Sequence, residues 1–534
     1  MRNEAQISYT SGASTVQLLG RTIGEVLDDV TARFGDREAL VETFTGRRWT
    51  FTQLHREAEK LAIGLQQLGI RAGDRVGIWS PNGAEWVFTQ YATAMLGAIL
   101  VNVNPAYRTH ELDYVVKQSG MSLLVSAERF RSSDYRAMVE EIGFADVLYI
   151  GSAQWGELMA AADDQPFRGP DVPLGFDDPI NIQYTSGTTG FPKGATLTHH
   201  NIVNNGFFVG EGISYTEADR VCLPVPLYHC FGMVMGILGA HTHGAAIVLP
   251  APVFEAAATL EAVQAERCTS LYGVPTMFIA ELALDSFSTF DLSSLRTGIM
   301  AGSTCPVEVM ERVIAEMHMT EVAICYGMTE TSPVSTMTSA TDDIAARTQT
   351  IGRVMPHLEV KIVDQDGHVV PVGEPGELCT RGYSVMLGYW DDAEKTAEVI
   401  DAARWMHTGD IARMDANSRL EIIGRLKDMV IRGGENIYPR EIEEFLYRHP
   451  NIADVQVIGV PDDKYGEELM AWVIMRAGAA PLSVDDIREF AAGKLTHFKV
   501  PRYVHVVESF PMTVTGKIRK VEMREQAIAM LAGI

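Results

Sequence analysis

Apolar positions recur at helical spacing from Thr22 to Ala32, and Arg47-Arg48-Trp49-Thr50-Phe51 reads as a strand leading into a second amphipathic run, Leu54 to Leu68. The pattern then alternates. Arg75–Trp79 predicts a strand and Ala84 to Leu96 a helix; Ala98–Val103 predicts a strand and His110 to Gln118 a helix; Leu123–Val125 adds a strand. Strands interleaved with helices make βαβ units, which build a largely parallel sheet. Residues Ala153 to Pro179, rich in Asp, Pro and Gly, read as a connecting loop. The alternation resumes with Val221–Pro226, Phe231 to Gly239, Ala246–Leu249 and Phe254 to Glu266, taken in turn as strand, helix, strand and helix. Ser294–Met300, Glu308–Met317 and Glu321–Tyr326 continue the series, so a second doubly wound unit is predicted.

Beyond Gly352 the character changes to alternating residues and turns, as in Glu359–Val363, Asp364-Gln365-Asp366-Gly367 and Glu377–Thr380, which predicts antiparallel hairpins forming a small barrel or curved sheet. After Gly424 a last unit begins. Pro439 opens a helix through Tyr447, Val455–Ile458 and Ala471–Ile474 read as strands, and Ser483 caps a helix with Asp485 and Asp486 in its first turn.

Composition narrows the class. The 534 residues exceed one ordinary core, and 46% hydrophobic with 21% charged residues is the balance of a globular enzyme. A net charge of −25 leaves no basic stripe for nucleic acid. Cys222, Cys230, Cys268, Cys305, Cys325 and Cys379 show no paired or metal-like spacing, so they predict reduced thiols in a reducing, cytoplasmic compartment. The opening MRNEAQISYTSGAS has no export pattern, and the most apolar windows are broken by Asn102, Asn104, His241 and His243, short of the ~20 residues of a membrane span. No transmembrane segment is expected.

Candidate chemistry starts at Tyr184–Gly194, YTSGTTGFPKG, after the apolar run Ile180–Ile182 and before what reads as a helix start at Leu197 to Asn201. Its glycines free the backbone to turn tightly, and Thr185, Ser186, Thr188 and Thr189 add hydroxyl donors around Gly187. Such a loop wraps a phosphate chain, with Lys193 as a compact counter-charge. A Walker loop fails on spacing, because Gly194 rather than Ser or Thr follows the lysine.

This segment resembles the phosphate-binding signature of the acyl-adenylate-forming enzymes, the superfamily of acyl-CoA synthetases, peptide-synthetase adenylation domains and beetle luciferases. Further stretches resemble the same family in the same order over nearly the whole chain. Tyr326-Gly327-Met328-Thr329-Glu330-Thr331 is similar to its second nucleotide motif, with Glu330 a magnesium ligand by that resemblance; read alone, the segment could equally be a capping box. His407-Thr408-Gly409-Asp410 matches the segment whose aspartate accepts from both ribose hydroxyls, and Asn417 is expected to take the left-handed place in the turn Asp415–Ser418. By the same resemblance Arg425 contacts ribose and Lys427 stands at an interdomain pivot. Gly433-Gly434-Glu435 serves thioester formation, either as a moving loop or as a rigid hairpin. Pro511–Lys517 resembles the catalytic-lysine loop, which makes Lys517 the group that offsets charge in the adenylation transition state. Leu227–Met233 resembles the aromatic segment beside the carboxylate pocket, with His229 lining the site, and Ala301-Gly302-Ser303 the strip against adenine; His229, Phe231 and Met233 could instead be ordinary core.

The resemblance implies an α/β protein. A large domain of two doubly wound α/β subdomains plus a small β-barrel spans 1–426, and a mobile α+β C-terminal domain spans 427–534. It also implies a two-step ligase using ATP, Mg2+ and coenzyme A on a fatty acid, as a monomer or a homodimer. The rivals are an adenylating enzyme that loads a carrier protein, an aryl-acid ligase, and a non-catalytic ATP-binding sensor.

Overall fold

The structure, a computed structural model, describes residues 6–185, 192–303, 305–433, 435–512 and 518–532. The chain divides into two compact units: Thr10–Val360 with Thr380–Met406, and Met1–Tyr9 with Lys361–Cys379 and His407–Ile534.

The larger unit is built on two sheets. The seven-stranded sheet runs in the order Gly388–Tyr389, Lys193–Thr198, Pro179–Thr185, Ile99–Asn102, Arg75–Trp79, Leu123–Ser126 and Val147–Tyr149. From Pro179–Thr185 to the last strand every pairing is parallel. The nine-stranded sheet has a parallel core of Glu321–Gly327, Thr297–Ala301, Ser270–Gly273, Arg220–Cys222, Ala246–Leu249 and Glu38–Glu42, with antiparallel strands at its edges. Alternation along each strand decides which core a side chain joins, because successive residues point to opposite faces. Ile99 and Val101 thus enter one cluster while Leu100 enters another. Leu100, Val76 and Val125 of the seven-stranded sheet share a single core with Leu40, Val221, Ile247 and Ile299 of the nine-stranded sheet, and the opposite faces bury Val41, Val248 and Met300 or Trp79 and Leu124 under helices. This is the doubly wound arrangement expected of strands that are apolar on both sides.

Local sequence places most boundaries. The helix Ile23–Phe34 begins at Thr22, whose hydroxyl accepts from the Glu25 N–H while the Glu25 carboxylate accepts from the Thr22 N–H, and Ala84–Leu96 ends at Gly97 in the left-handed conformation. One expectation needs correction. The stretch from Ala153 opens with a helix, Ala153–Ala161, capped by Ser152 and anchored by buried Trp155 and Leu158, which the Asp, Pro and Gly content of the following residues concealed. The helix expected from Phe231 is present as a π-helix, Phe231–Leu238.

A further five-stranded sheet has the order Tyr9–Ser11, Leu358–Val363, Gly376–Gly382, Met406–Met414 and Leu420–Arg425, an open order rather than a closed barrel. In the turn before the last strand Ser418, not Asn417, takes the positive φ of 60°. Asp415 Oδ1 accepts from the N–H groups of both Asn417 and Arg419 at 2.8 Å, which places the left-handed residue one position later. The C-terminal sheet pairs Ile452–Asp462 with Gly466–Met475, adds Val430–Arg432 and Glu435–Ile437 as a hairpin, and takes Tyr503–Val506 in parallel. Pro439 opens Pro439–Leu446, and the Ser483 hydroxyl accepts from the Asp486 N–H at the start of Val484–Ala491. All six cysteines are buried free thiols, and no helix among the described residues is long and apolar enough to cross a membrane.

Candidate active site

The phosphate-loop stretch is the connection of an antiparallel hairpin. Thr185 lies opposite Lys193 and Tyr184 opposite Gly194, and the Thr185 hydroxyl donates to the Lys193 carbonyl at 3.4 Å. Lys193–Thr198 is therefore a strand, and the helix read as starting near Leu197 begins at His199, where Thr198 and Asn201 form the capping box. Ala195 and Leu197 belong to the shared core, and a Cβ on Gly194 would fall 2.9 Å from Ile182 Cγ2, so this strand lies close on its partner. The Tyr114 hydroxyl donates to the Pro192 carbonyl at 3.1 Å and the Trp390 N–H to the Gly194 carbonyl at 2.7 Å, fixing the loop's stem. Ser186, Gly187, Thr188 and Thr189 lie outside the described residues.

Glu330 follows the strand Glu321–Gly327, at the carboxyl end of the parallel core, where open sheets place ligands. Thr331 caps the short turn Thr329–Thr331: its hydroxyl accepts from the Met328 N–H at 3.1 Å and donates to the Pro333 carbonyl at 2.8 Å. With Thr331 closing the turn, the Glu330 carboxylate is left for other work. Its Oε1 accepts the Tyr389 hydroxyl at 2.8 Å, and among the described residues its other oxygen has no hydrogen-bond partner. The Lys193 ammonium sits 4.9 Å from the centroid of the Tyr389 ring. Tyr389 thus joins the lysine expected to face phosphates and the carboxylate expected to hold magnesium. Burial, then the neighbouring Glu330 charge, pushes the phenol pKa up, so the hydroxyl stays a neutral donor. Sequence reasoning missed Tyr389, because it lies on a two-residue strand, Gly388–Tyr389, whose only cue is its pairing with Lys193–Thr198.

At the neighbouring strand ends stand the other expected nucleotide residues of this unit. Gly302 follows Thr297–Ala301 with φ +92°, and a Cβ there would come within 3.2 Å of Val274 Cγ1. Tyr326 is half-buried. Gly327 admits no side chain, since a Cβ would fall 1.8 Å from the Pro333 carbonyl oxygen. Burial pushes the Cys325 thiol pKa up, so it packs as an inert apolar group.

The segment Val225–Cys230 is held by buried amides that sequence reading did not single out for this purpose. Asn82 donates to the Val225 carbonyl at 3.0 Å and accepts from the Leu227 N–H at 2.9 Å; Asn102 donates to the Tyr228 carbonyl at 2.8 Å; Gln183 accepts from the Cys230 N–H at 3.1 Å. Asn181 links the last two, donating to Asn102 Oδ1 and accepting from Gln183 Nε2, both at 2.9 Å. A buried amide is tolerated when its groups are paired, and here the pairing fixes the backbone of an irregular segment. On that segment His229 is half-buried with its ring 4.5 Å from that of Tyr228, and half-buried Phe231 stacks on Tyr272 at 5.6 Å. Met233 is wholly in the core, where its sulfur accepts from Asn102 and Gln183 at 3.1 Å. The core alternative therefore holds for Met233, while His229 and Phe231 keep exposed surface.

In the smaller unit Asp410 and Arg425 are cross-strand partners in antiparallel register, with Arg425 Nε 3.4 Å from Asp410 Oδ1. Asp410 is 7% exposed, whereas the Arg425 side chain is 54% exposed. The approach to Asp410 is shaped by Glu377: its Oε1 accepts from the Gly409 N–H at 3.1 Å, its Oε2 lies 2.8 Å from His407 Nδ1, and Gly409 takes a φ of +69°. The Thr408 hydroxyl donates to the Leu378 carbonyl at 2.7 Å and accepts from the Asp410 N–H at 3.1 Å. Lys427 is exposed on the short turn Leu426–Asp428. Gly433, at φ +60°, turns the hairpin between Val430–Arg432 and Glu435–Ile437, and its N–H donates to the Tyr465 carbonyl at 2.8 Å. Exposed Glu435 starts the second strand of this hairpin. Arg432 clamps its base through 2.8 and 2.7 Å bonds to Glu468, which is 1% exposed. Gly434 and Lys517 lie outside the described residues; the stem of the lysine loop is closed by a Met512–Ile518 bridge and by the Arg519 N–H donating to the Pro511 carbonyl at 2.8 Å.

Known proteins resemble this chain in sequence and in fold. Residues 27–390 match the family described as AMP-binding enzyme, and residues 441–517 match the AMP-binding enzyme C-terminal domain. The mitochondrial medium-chain acyl-CoA ligase ACSF2 of Bos taurus is 43% identical, over 97% of this chain and 89% of that protein. Among solved structures, the anthranilate CoA ligase AuaEII in complex with anthranoyl-AMP has a TM-score of 0.86 at 27% identity, covering 98% of this chain and 99% of its own. A Mycobacterium tuberculosis fatty acyl CoA synthetase has a TM-score of 0.76 at 28% identity, covering 95% and 99%.

Proposed function

The chain belongs to the AMP-binding enzyme family and is an AMP-forming acid:coenzyme A ligase, using ATP and coenzyme A as substrates, and from this premise we propose that its acid is a medium-chain fatty acid. Supporting the acid class are the 43% identity to a ligase of that name and the half-buried aromatic surface of His229 and Phe231 on the clamped segment Val225–Cys230. The observation that carries the site assignment is the meeting of Lys193 and Glu330 on Tyr389.

In the first half-reaction the carboxylate attacks the α-phosphorus of ATP and pyrophosphate leaves against the loop Thr185–Lys193. The nucleophile is already an anion, so no general base is needed. Lys517 offsets the charge that builds on the pentacoordinate phosphorus. Glu330 suits Mg2+, because one carboxylate oxygen is held by Tyr389 and the other, a hard donor, has no hydrogen bond among the described residues; the ion would neutralise phosphate oxygens there. Tyr326, Gly327, Thr329 and Gly302 contact the nucleotide at the strand ends, and Asp410 with Arg425 binds the ribose hydroxyls. In the second half-reaction the thiol of coenzyme A attacks the acyl carbonyl, AMP leaves, and Gly433, Gly434 and Glu435 serve this step, with Lys427 as pivot. The corresponding domains are residues 1–426 and 427–534. The buried free thiols support a reducing, cytoplasmic setting.

The test is pyrophosphate release over straight-chain acids of rising length and over benzoate and anthranilate, with free coenzyme A or carrier-bound pantetheine as acceptor. The expected result is a maximum at medium chain length and turnover with free coenzyme A. A maximum on an aryl acid, or turnover only with the carrier, overturns the assignment. Light scattering on the eluted protein decides between monomer and homodimer.

A further inference from the structure

One cluster of metal-binding side chains is not used by the proposed chemistry. Glu377 and Cys379 stand two positions apart on the strand Gly376–Gly382, so the pleat puts both on one face, and His407 is the second residue of Met406–Met414, the neighbouring strand of the same sheet. One donor atom from each of the three lies within 4.8 Å of the other two. Cys379 Sγ is 3.5 Å from His407 Nδ1, and that nitrogen is 2.8 Å from Glu377 Oε2.

These distances are close to those around a tetrahedral zinc ion. Bond lengths of about 2.3 Å to sulfur and about 2.0 Å to nitrogen or oxygen, at tetrahedral angles, put sulfur ~3.5 Å from nitrogen and nitrogen ~3.3 Å from oxygen. The sulfur–nitrogen spacing is already met, and the carboxylate needs to withdraw by about half an ångström, to the nitrogen–oxygen spacing of a zinc site. The donors are one thiol, one imidazole and one carboxylate, a set that selects a borderline-soft ion over magnesium or calcium, which take oxygen. Cys379 is buried while the Glu377 and His407 side chains are 19% and 32% exposed, so an ion can arrive from the solvent side and keep a water as fourth ligand. Glu377 Oε1, which accepts the Gly409 N–H, brings its own second contact.

We propose that Glu377, Cys379 and His407 form a site for one thiophilic divalent cation of the zinc class, separate from the Mg2+ assigned to Glu330. On binding, the thiol gives its proton to solvent, and His407 shifts its ring proton to Nε2 so that Nδ1 donates its lone pair to the ion. The ion is then tied to the stretch His407–Asp410.

The test uses the full-length, chelator-treated protein without nucleotide, titrated with Co2+ as the spectroscopic probe. The expected result is saturation at one equivalent, with a thiolate-to-cobalt charge-transfer band in the near ultraviolet and the intense visible bands of tetrahedral cobalt, both removed by Zn2+. Cys379→Ser should lose the charge-transfer band while keeping the circular dichroism spectrum and thermal midpoint of the parent. One equivalent of Zn2+ should raise the thermal midpoint of the parent and not that of Cys379→Ser. Weak octahedral cobalt bands alone, or a charge-transfer band that survives in Cys379→Ser, overturns the proposal. If Cys379→Ser does not fold, His407→Asn replaces it, with loss of the tetrahedral visible bands as the readout.

Discussion

Replacing Tyr389 by Phe removes one oxygen and keeps the ring. The lost contact is the 2.8 Å hydrogen bond to Glu330 Oε1, and a hydrogen bond to a charged group contributes about 1.5–3 kcal/mol when buried. Glu330 is half-buried, so water replaces part of the loss and the net cost falls near ~1–1.5 kcal/mol, roughly a five- to tenfold effect. The ring remains under Lys193 at 4.9 Å, a contact of about 0.5–1 kcal/mol that Tyr389→Phe retains and Tyr389→Leu removes. Pyrophosphate release measured against Mg2+ concentration at saturating acid should show Tyr389→Phe needing about five to ten times more Mg2+, on the hydrogen-bond magnitude above. Tyr389→Leu should show a further rise in the KM for ATP. Thioester formation from supplied acyl-adenylate should be unchanged in both. An unaltered Mg2+ requirement in Tyr389→Phe, or equal loss in both half-reactions, would refute the view that the hydroxyl orients the metal-binding carboxylate.

Lys517→Ala should abolish adenylation and spare thioester formation from acyl-adenylate, read by the two half-reaction assays; equal loss of both halves contradicts the division of labour. Gly327→Ala forces a Cβ to 1.8 Å from the Pro333 carbonyl, so the backbone carrying Glu330 must shift; about 1–3 kcal/mol of stability and most adenylation activity should be lost, and an active variant with an unchanged thermal midpoint speaks against that close approach. Burial lowers the pKa of His199 and His241 to about 4, against the Ala39 carbonyl at His241 Nε2 (3.0 Å), which pulls the other way; the Tyr91 hydroxyl lies 2.7 Å from His241 Nδ1. Below the unfolded value of about 6.5 the unfolded chain takes up these protons and the folded chain does not, so the stability present above that pH falls until about pH 4. At pH 5 the loss is roughly 2 kcal/mol for each ring, and a thermal midpoint that is flat or rising from pH 7 to pH 5 would show the rings are not buried neutral.

Much of the architecture was legible because it depends on neighbours in sequence. Strands apolar on both faces, interleaved with capped amphipathic runs, predict two doubly wound sheets, and Arg75–Trp79, Ala84–Leu96 and Ala246–Leu249 appear with the expected bounds. Pro439 and Ser483 open helices where proline and serine favour a first turn. In the fold Lys193 starts a strand, Glu330 sits in the turn that follows one, Arg425 ends one, and Asp410 lies mid-strand opposite Arg425.

What the sequence could not supply is what those residues meet. Nothing near Tyr389 in the chain marks it as the bridge between Lys193 and Glu330, and no spacing relates Asn82, Asn102 and Gln183 to the carbonyls and N–H groups of Val225–Cys230. Glu377, Cys379 and His407 carried no metal-like spacing either, and become a donor set only when two strands pair. Periodicity and capping report interactions that reach a few residues along the backbone. Cross-strand register and buried hydrogen bonds join residues far apart in sequence, and those contacts are specified only once the sheets have folded.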